Sequence, residues 1–366
     1  MKAKHHFNWA ILIAGILFML GLCGCLAIYN ATMLSNMPFY FAGRQLLWLL
    51  IGMTALIGCA KIPFEFYCKN IKILAVISVI SLLAVLPLGV KINGMSGWYS
   101  LGYFWLQPSE LSKPIFLLTL CLVSKHFQSG WLRLGAMSAL ASAWILAVAI
   151  QPDFGSVAVY VAGLMIVYWL SDGSIKPLIA LMALNVPVVI GVLMLKPYVL
   201  RRLKGFWEPW VDPLNNGWHI LQFRFAIARG GTTGMSWGKA YWANSYLPLS
   251  HSDSVFAALA ESLGAAGALP IIGLFVLLMF AFAKMALQTE DGTRQVFVVA
   301  IGAVVLVQAL IHISVNLTIL PPTGLTLPVL SYGGSSLLAT MIGAGMAISA
   351  ATPSRSKRNV LDEIEK

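Results

Sequence analysis

Residues 248–284 read PLSHSDSVFAALAESLGAAGALPIIGLFVLLMFAFAK, a short polar stretch that passes directly into a long apolar run. A helix crosses the hydrocarbon core of a membrane with about 20 apolar residues, so this run is long enough to span it. Gly264, Gly267 and Pro270 interrupt the run and predict a bend. Similar runs recur along the chain. The sequence predicts ten spans, near 8–29, 40–60, 71–90, 107–124, 133–151, 153–171, 177–196, 254–284, 295–316 and 327–350.

Composition supports the same fold class, an all-α polytopic membrane protein with about ten transmembrane helices. Hydrophobic residues make up 59% of the chain and charged residues 10%, whereas soluble domains carry roughly 25% charged residues. The alternation of a β-barrel is missing. The first run is too long for the apolar part of a signal peptide, so cleavage is not expected. We predict one membrane domain over 1–351 and a short cytoplasmic tail over 352–366.

The distribution of lysine and arginine predicts the orientation. With both termini in the cytoplasm, the segments that lie inside carry most of the positive charges of the short loops. A large exofacial loop, 197–253, then separates helices 7 and 8. It is positively charged itself, but long segments translocate largely regardless of charge. A second outer connection, 91–107, is rich in glycine and aromatic residues.

The net charge of +11 divides between the cytoplasmic segments and the large outer loop. No nucleic-acid-binding motif accompanies it, so an anionic lipid or a phosphate-bearing substrate is the better partner. The five cysteines show neither a disulfide framework nor zinc-site spacing. Within the loop, 224–231 predicts either a short amphipathic helix ended by glycine or an irregular segment that lies on lipid headgroups.

Three acids stand where inward-running helices begin on the outer face. The free N–H groups of such helix starts point outward and are natural phosphate sites. Glu110, Asp153 and Asp253 occupy these starts. Each acid also has a plainer interpretation. Asp153 and Asp253 fit as helix caps, and Glu110 fits as the partner of Lys113 in an i,i+3 ion pair.

Asp253 is the strongest candidate because a basic, aromatic loop leads to it at the water–lipid boundary, where an acid is costly to keep. The helix dipole should favour its charged form and weaken it as a base. Glu261 lies about 12 Å deeper, so we expect it to pair with a cation rather than with Asp253. His312 and Asn316 are predicted hydrogen-bond partners between helices, and the small residues of 331–336 predict close helix packing.

The motifs, taken in order, resemble those of the SEDS family (FtsW/RodA) over nearly the whole chain. Its early signature is similar to Asn93-Gly94 with Trp98 and to Gln107-Pro108-Ser109-Glu110 with Lys113. Its later signatures are similar to Pro152-Asp153-Phe154-Gly155, Tyr246-Leu247-Pro248 with His251-Ser252-Asp253, and Gly324-Leu325-Thr326-Leu327-Pro328. Arg44-Gln45-Leu46-Leu47-Trp48 favours the FtsW branch. Ser96-Gly97 and Ser252-Asp253-Ser254 depart from the family pattern at positions that bear on substrate grip.

This resemblance implies a peptidoglycan glycosyltransferase that polymerises lipid II, a disaccharide-pentapeptide on undecaprenyl diphosphate, in cell division. The donor already carries a good leaving group, so a second, protonated acid of the glycosidase type is not required. One base must take the acceptor proton, and cations must stabilise the leaving charge. The implied base is Asp253. The implied substrate-binding residues are Trp98, Glu110, Lys113, Asp153, Arg224, Arg229, Lys239 and His251, the four lysines and arginines as diphosphate candidates.

The expected location is the bacterial cytoplasmic membrane, with the reaction at its outer face. The expected partners are a class B penicillin-binding protein and other division proteins. No cofactor is required, and a divalent cation is compatible with the chemistry. Two alternatives stay open: a lipid II flippase, which would need polar access from both faces, and a non-catalytic division scaffold. The sequence does not separate septation from elongation or sporulation.

Overall fold

The computed structural model describes residues 8–35, 37–92, 95–102, 104–171, 173–183, 197–289 and 291–352. The elements before the large loop are α1 (Trp9–Ala31), α2 (Pro38–Lys61), α3 (Phe64–Leu88), β1 (Val90–Ile92), β2 (Met95–Leu101), β3 (Phe104–Leu106), α4 (Pro108–Leu111), α5 (Lys113–Ser124), α6 (Gly130–Ile150), α7 (Phe154–Leu170) and α8 (175–183). They are followed by α9 (Pro197–Trp207), α10 (Trp218–Gly230), α11 (Tyr241–Ser245), α12 (Val255–Ala286), α13 (Gly292–Asn316) and α14 (Gly334–Ala351).

Within the described residues, seven helices are long and apolar enough to cross a membrane: α1, α2, α3, α6, α12, α13 and α14. The predicted class, a polytopic helical membrane protein, is therefore confirmed. The sixth predicted span is the shorter apolar helix α7, of 17 residues. The seventh, 177–196, falls mostly outside the described residues, as does the tail after residue 352. The count of ten spans stays a prediction.

The fourth predicted span consists of two helices. α4 ends at Leu111 and α5 begins at Lys113 because Pro114 lacks the amide hydrogen that a continuous helix would need. The Ser112 hydroxyl donates to the Pro108 carbonyl at 2.9 Å at this junction. The break turns the first residues of the predicted span into a separate short helix that carries Glu110.

A small antiparallel sheet occupies the connection between α3 and α4, which the prediction of an all-α chain missed. β1 pairs with β2, with Val90 opposite Trp98, and β2 pairs with β3, with Ser100 opposite Trp105. Successive side chains of a strand point to opposite faces, and the aromatic residues of this segment are distributed over both. The sheet presents Trp98 and Trp105 to a cavity.

The large loop contains the helices α9, α10 and α11. The predicted amphipathic helix at 224–231 is confirmed as the second half of α10. Phe223 and Ala226 are buried on one side of it, whereas Arg224 is exposed. Gly231 ends the helix with a φ of 52°, a backbone conformation that glycine adopts without strain.

The predicted bend in α12 is confirmed at Gly264, whose φ of 65° interrupts the helix. The loop that follows α10 supplies hydrogen bonds at this break. The Gly231 and Thr232 carbonyls accept from the backbone N–H groups of Ala265 and Ala266 at 2.9 and 3.0 Å. Unpaired backbone groups are costly at membrane depth. These bonds give partners to the N–H groups that the bend leaves free, and they fix the large loop to the helix bundle.

The buried core follows α13, which packs against α5, α7, α12 and α14, while α14 also packs against α2. The close packing predicted for the small residues at 331–336 is confirmed at Gly334. A side chain at this position would overlap the Trp48 indole of α2. This contact brings the start of α14 next to α2 at the wall of the cavity.

Candidate active site

A cavity of about 870 Å³ lies among the helix starts and is large enough for a sizeable polar ligand. Much of its wall comes from residues 249 and 251–253 before α12, residues 323–326, and residues 332–336 at the start of α14. Residues of α2, the small sheet and the starts of α4 and α7 complete it. Its charged lining residues are Arg44, Glu110, Asp153, Arg202 and Asp253.

Asp253 lies on this wall, just before α12 begins at Val255. Ser254 is the N-cap, so the interpretation of Asp253 as the helix cap is wrong. The Asp253 carboxylate accepts a hydrogen bond from the Ser252 hydroxyl at 3.2 Å. Burial raises the pKa of Asp253 to about 6, more than the Ser252 hydroxyl and the charge of Arg202 lower it. The predicted dominance of the helix dipole is therefore wrong, because desolvation of the charged form is the larger effect.

A side chain of α13 fixes the backbone that carries Asp253. Asn316 donates from Nδ2 to the Asp253 carbonyl at 3.0 Å and accepts from the Ala257 N–H at 3.0 Å. His312 Nδ1 lies 2.7 Å from the Leu325 carbonyl and its Nε2 lies 3.3 Å from Asn316 Nδ2, a geometry that fits a proton on Nδ1. The predicted hydrogen bonding between helices is confirmed for Asn316, which accepts from Ala257 of α12, whereas His312 bonds the Leu325 carbonyl outside the helices and Asn316 of its own helix.

The segment before α14 holds the other side of the same loop. The Ser331 hydroxyl donates to the Ser252 carbonyl at 2.8 Å, and the Tyr332 N–H donates to the His251 carbonyl at 2.9 Å. Gln45 of α2 donates to the Ser331 carbonyl at 3.0 Å. Residues 251–253 are thus fixed from two sides, by α13 and by the segment that precedes α14.

His251 lines the cavity and is enclosed by aromatic rings. Its ring centroid lies 4.9 Å from that of Phe41 and 5.4 Å from that of Tyr332. Burial lowers the pKa of His251, so the imidazole is neutral at physiological pH. A neutral imidazole can hydrogen-bond a ligand but does not supply positive charge.

Two arginines that were not predicted as site residues line the cavity. Arg44 of α2 donates to the Tyr40 hydroxyl at 2.8 Å, and its guanidinium lies 5.9 Å from the centroid of the Tyr332 ring. Arg202 of α9 lies close enough to Asp253 to lower its pKa. Arg44 stands in a motif that was used only to choose a family branch, and Arg202 is one of several basic loop residues, so neither was distinguishable by sequence.

The four predicted diphosphate-binding cations lie elsewhere. Lys113 is buried, 2.6 Å from Glu110 Oε1 and 2.8 Å from Gln308 Oε1, which confirms the predicted ion pair. Arg229 pairs with Glu261 through its Nε at 3.1 Å, which confirms the prediction that Glu261 meets a cation. In the described part of the chain, the cavity lining includes none of Lys113, Arg224, Arg229 and Lys239. Acids hold two of these cations, Lys113 through Glu110, which itself lines the cavity, and Arg229 through Glu261. The assignment of the four cations to the diphosphate stays a prediction.

The other predicted site residues, Trp98, Glu110 and Asp153, do line the cavity. The Asp153 carboxylate accepts from the Ser156 N–H at 2.9 Å, which confirms its interpretation as the cap of α7. It also accepts from Gln107 Nε2 at 3.2 Å. Burial raises the pKa of Asp153, and the nearby Ser156 hydroxyl and the hydrogen bond from the Ser156 N–H act against this shift. Among the described residues, no cluster of three or more histidine, cysteine or acidic side chains is arranged to hold a metal.

Comparison with known proteins identifies relatives over almost the full length. The family described as Cell cycle protein, which covers FtsW, RodA and SpoVE, matches residues 8–356. A probable peptidoglycan glycosyltransferase FtsW of Nitrosomonas europaea is 32% identical over 372 residues, which cover 96% of this chain and 95% of that protein. Stage V sporulation protein E of Bacillus subtilis is 31% identical and covers 94% of this chain and 97% of its own length.

Solved structures share the fold. A chain from a peptidoglycan synthase complex, whose structure concerns the coordination of polymerization and crosslinking, superposes with a TM-score of 0.79 at 26% identity. That superposition covers 95% of this chain and 98% of the other. The overall fold therefore recurs in a chain of a peptidoglycan synthase complex.

Proposed function

The chain belongs to the FtsW/RodA/SpoVE family of cell cycle proteins, as its motifs predict, and we propose that it polymerises lipid II into glycan strands. It is a multi-pass membrane protein and a peptidoglycan glycosyltransferase. The proposed site of reaction is the outer face of the bacterial cytoplasmic membrane, with both termini inside. The distribution of lysine and arginine supports that orientation, and the likeness to FtsW supports a role in cell division.

The observation that carries the proposal is that an enclosed carboxylate and two arginines share one cavity. Asp253, Arg44 and Arg202 all line it. A glycosyl transfer from a diphosphate donor needs these two functions, a base for the acceptor and positive charge for the leaving group. Neither function needs a second, protonated acid.

In the proposed reaction, the Asp253 carboxylate takes the proton from a hydroxyl of the acceptor sugar. The hydroxyl oxygen forms a bond to the anomeric carbon of the donor, and the bond between that carbon and the diphosphate oxygen breaks. The diphosphate leaves with its charge balanced by Arg44 and Arg202. A pKa of about 6 suits this role, because Asp253 is ionised at neutral pH yet is a stronger base than an ordinary aspartate.

Arg44 and Arg202 replace the cations that were proposed from the sequence alone. A guanidinium binds phosphate oxygens through two parallel N–H donors, which a lysine cannot do. The aromatic rings around Arg44 restrict where its guanidinium can point. Lys113 keeps an indirect role in this proposal, since it neutralises Glu110 at the cavity wall. A divalent cation remains compatible with the reaction and is not required by it.

A class B penicillin-binding protein is the proposed partner. The structural neighbour comes from a complex that joins polymerization to crosslinking, and a transpeptidase is the enzyme class that crosslinks glycan strands. The proposed interaction brings the new strand to the crosslinking enzyme as it forms.

The test uses the purified chain in liposomes that contain fluorescent lipid II, with and without a class B penicillin-binding protein. We expect lipid II to be converted to long glycan, visible as a ladder on a gel. Translocation of lipid II across the bilayer without longer glycan would instead identify a flippase. If glycan stays absent with the partner present and lipid II is not moved, the proposed activity is refuted and a scaffold is left.

A further inference from the structure

Two serine hydroxyls in the cavity wall find no hydrogen-bond partner among the described residues. Ser156 at the start of α7 is 1% exposed and Ser336 at the start of α14 is 5% exposed, and both line the cavity. The Ser156 hydroxyl is near the Asp153 carboxylate without reaching hydrogen-bond geometry. A buried hydroxyl without a partner destabilises the fold, so two of them on one cavity wall indicate a ligand that pairs with them.

The neighbouring hydroxyl shows the contrast. Ser335 accepts a hydrogen bond from the Gln107 N–H at 2.9 Å and donates to the Trp105 carbonyl at 3.1 Å. Its polar group therefore holds β3 and α4 against α14. The hydroxyl of Ser336, one residue further on, has no such partner among the described residues, although Ser336 also lines the cavity. The difference separates a serine that maintains the fold from a serine whose hydroxyl is available to a ligand.

The surroundings of the two hydroxyls disfavour a phosphate. Asp153 and Glu110 line the same part of the wall, and their charges are close enough to act on each other. The amide of Gln107 and the indole of Trp98 also line the cavity. Hydroxyl and amide groups can both donate and accept hydrogen bonds, and an aromatic ring can stack against a sugar ring, and neither adds charge. Together they suit an uncharged ligand that is rich in hydroxyl groups.

The charges of the cavity thus form two groups. The pKa of Asp253 responds to Arg202, whereas the pKa of Asp153 responds to Glu110 and Lys113. One group offers positive charge beside the proposed base, and the other offers acids and neutral polar groups. A substrate that carries a diphosphate at one end and sugars at the other matches this division.

We infer that Ser156 and Ser336, together with Gln107 and Trp98, form a subsite for the uncharged saccharide of the substrate, separate from the arginines that bind the diphosphate. This inference rests on the proposed function. Each serine hydroxyl hydrogen-bonds a hydroxyl or acetamido group of the sugar, and Trp98 supplies an apolar face for the ring. Trp98, predicted from the sequence to bind substrate, thereby acquires a defined function.

The test compares Ser156→Ala, Ser336→Ala and the double variant with Ser138→Ala. Ser138 in α6 is a matched control, because its buried hydroxyl also finds no partner in the described part of the chain and does not line the described cavity. We measure the Kd of each variant for lipid II and for undecaprenyl diphosphate by thermophoresis, and the KM of lipid II in the gel assay. Binding can be measured even if no polymer forms, so failure of the subsite and failure of the polymerase proposal are distinguishable.

We expect each cavity serine variant to raise the Kd and KM for lipid II by about 3- to 10-fold, as the loss of one neutral hydrogen bond does. The Kd for undecaprenyl diphosphate and the thermal unfolding temperature should stay unchanged, because no hydrogen bond within the protein is lost. An unchanged Kd for lipid II in the double variant would overturn the inference. A parallel loss for undecaprenyl diphosphate, or rescue by added Mg²⁺, would also overturn it, by assigning the hydroxyls to the diphosphate or to a cation.

Discussion

Two acids of one segment, Asp253 and Glu261, meet opposite environments. Glu261 is completely buried and accepts from Arg229 Nε at 3.1 Å and from the Trp242 and Ala243 N–H groups at 3.0 and 2.6 Å. Asp253 is half-buried, accepts from the Ser252 hydroxyl and faces the cavity. Both acids lie near the N-terminal end of α12, but the fold compensates the charge of Glu261, whereas the carboxylate of Asp253 faces the cavity.

A structural acid and a reactive acid thus differ in whether groups of the fold compensate the charge of the carboxylate. Enclosure without a compensating charge raises the pKa of a carboxyl group, as it does at Asp253. Glu261 fixes α11 to α12 through the backbone of residues 242 and 243. Asp253 destabilises the fold slightly and gains basicity. The two acids should therefore respond to substitution in opposite ways, in activity and in stability.

The largest expected effect is on activity, in Asp253→Asn. The amide cannot accept the acceptor proton, so we expect polymerisation to fall by about 10²- to 10⁴-fold, the usual contribution of a general base. Asp212→Asn is the matched control, because it removes the same charge from an exposed acid of the same loop. Initial rates of glycan formation measure both. Full activity in Asp253→Asn would show that Asp253 is not the base and does not differ from Glu261 in reactivity.

The next effect is on stability, in Glu261→Ala. Arg229 and two backbone N–H groups would lose their acceptor, which should destabilise the protein by about 3–5 kcal/mol, as breaking a buried ion pair does. Thermal unfolding in detergent, followed by tryptophan fluorescence, measures the loss. Glu65→Ala is a suitable control, since its pair with Arg294 is half exposed and should contribute little. Equal unfolding temperatures for the two variants would contradict the assigned role of Glu261.

A smaller effect is expected from the arginines. Arg202→Lys and Arg44→Lys keep the charge but lose the paired N–H donors, so each should lower kcat for polymerisation by about 10-fold, equivalent to about 1.4 kcal/mol. Arg224→Lys, in the same loop but outside the described cavity lining, should leave the rate unchanged. An equal loss of kcat in Arg224→Lys and Arg202→Lys would instead support the cations predicted from the sequence as the diphosphate site.

The smallest effect is a gain in stability in Asp253→Asn. The folded-state pKa of about 6 lies above the ordinary 3.8, so the stability that this group contributes is present below pH 3.8 and is lost as the pH rises to 6. Above pH 6 the enclosed charge is unfavourable, and the amide removes it. At pH 7.5 we expect an increase of about 1 kcal/mol, or about 2–4 °C in Tm. The increase should disappear near pH 4, and a decrease at pH 7.5 would contradict the raised pKa.

Much of the fold was predictable from the sequence, because membrane helices are identified by long apolar runs. The bend at Gly264 was also predictable, since glycine and proline interrupt such a run. The small sheet was not, because three short strands of 3 to 7 residues give little periodic signal. The split between α4 and α5 depended on Pro114, which by itself is equally compatible with a single kinked span.

Contacts of the candidate site between residues that are close in sequence were predictable. Contacts between residues that only the fold brings together were not. The pair of Glu110 with Lys113 follows from helical spacing. The arrival of Arg44 from α2 and Arg202 from α9 at the same cavity depends on contacts that span the chain. The expected direction of the pKa of Asp253 was wrong, because a helix start can be anticipated from the sequence and burial by distant parts of the chain cannot.

The pH dependence of kcat/KM for lipid II polymerisation tests the central claim most directly. If Asp253 is the base, kcat/KM should be constant at neutral pH, fall to half near pH 6 and decrease about tenfold for each further pH unit. The residual activity of Asp253→Asn should lack this step. A wild-type profile that stays flat from pH 7 to pH 5, or a step near pH 6 that survives in Asp253→Asn, would show that another group takes the proton.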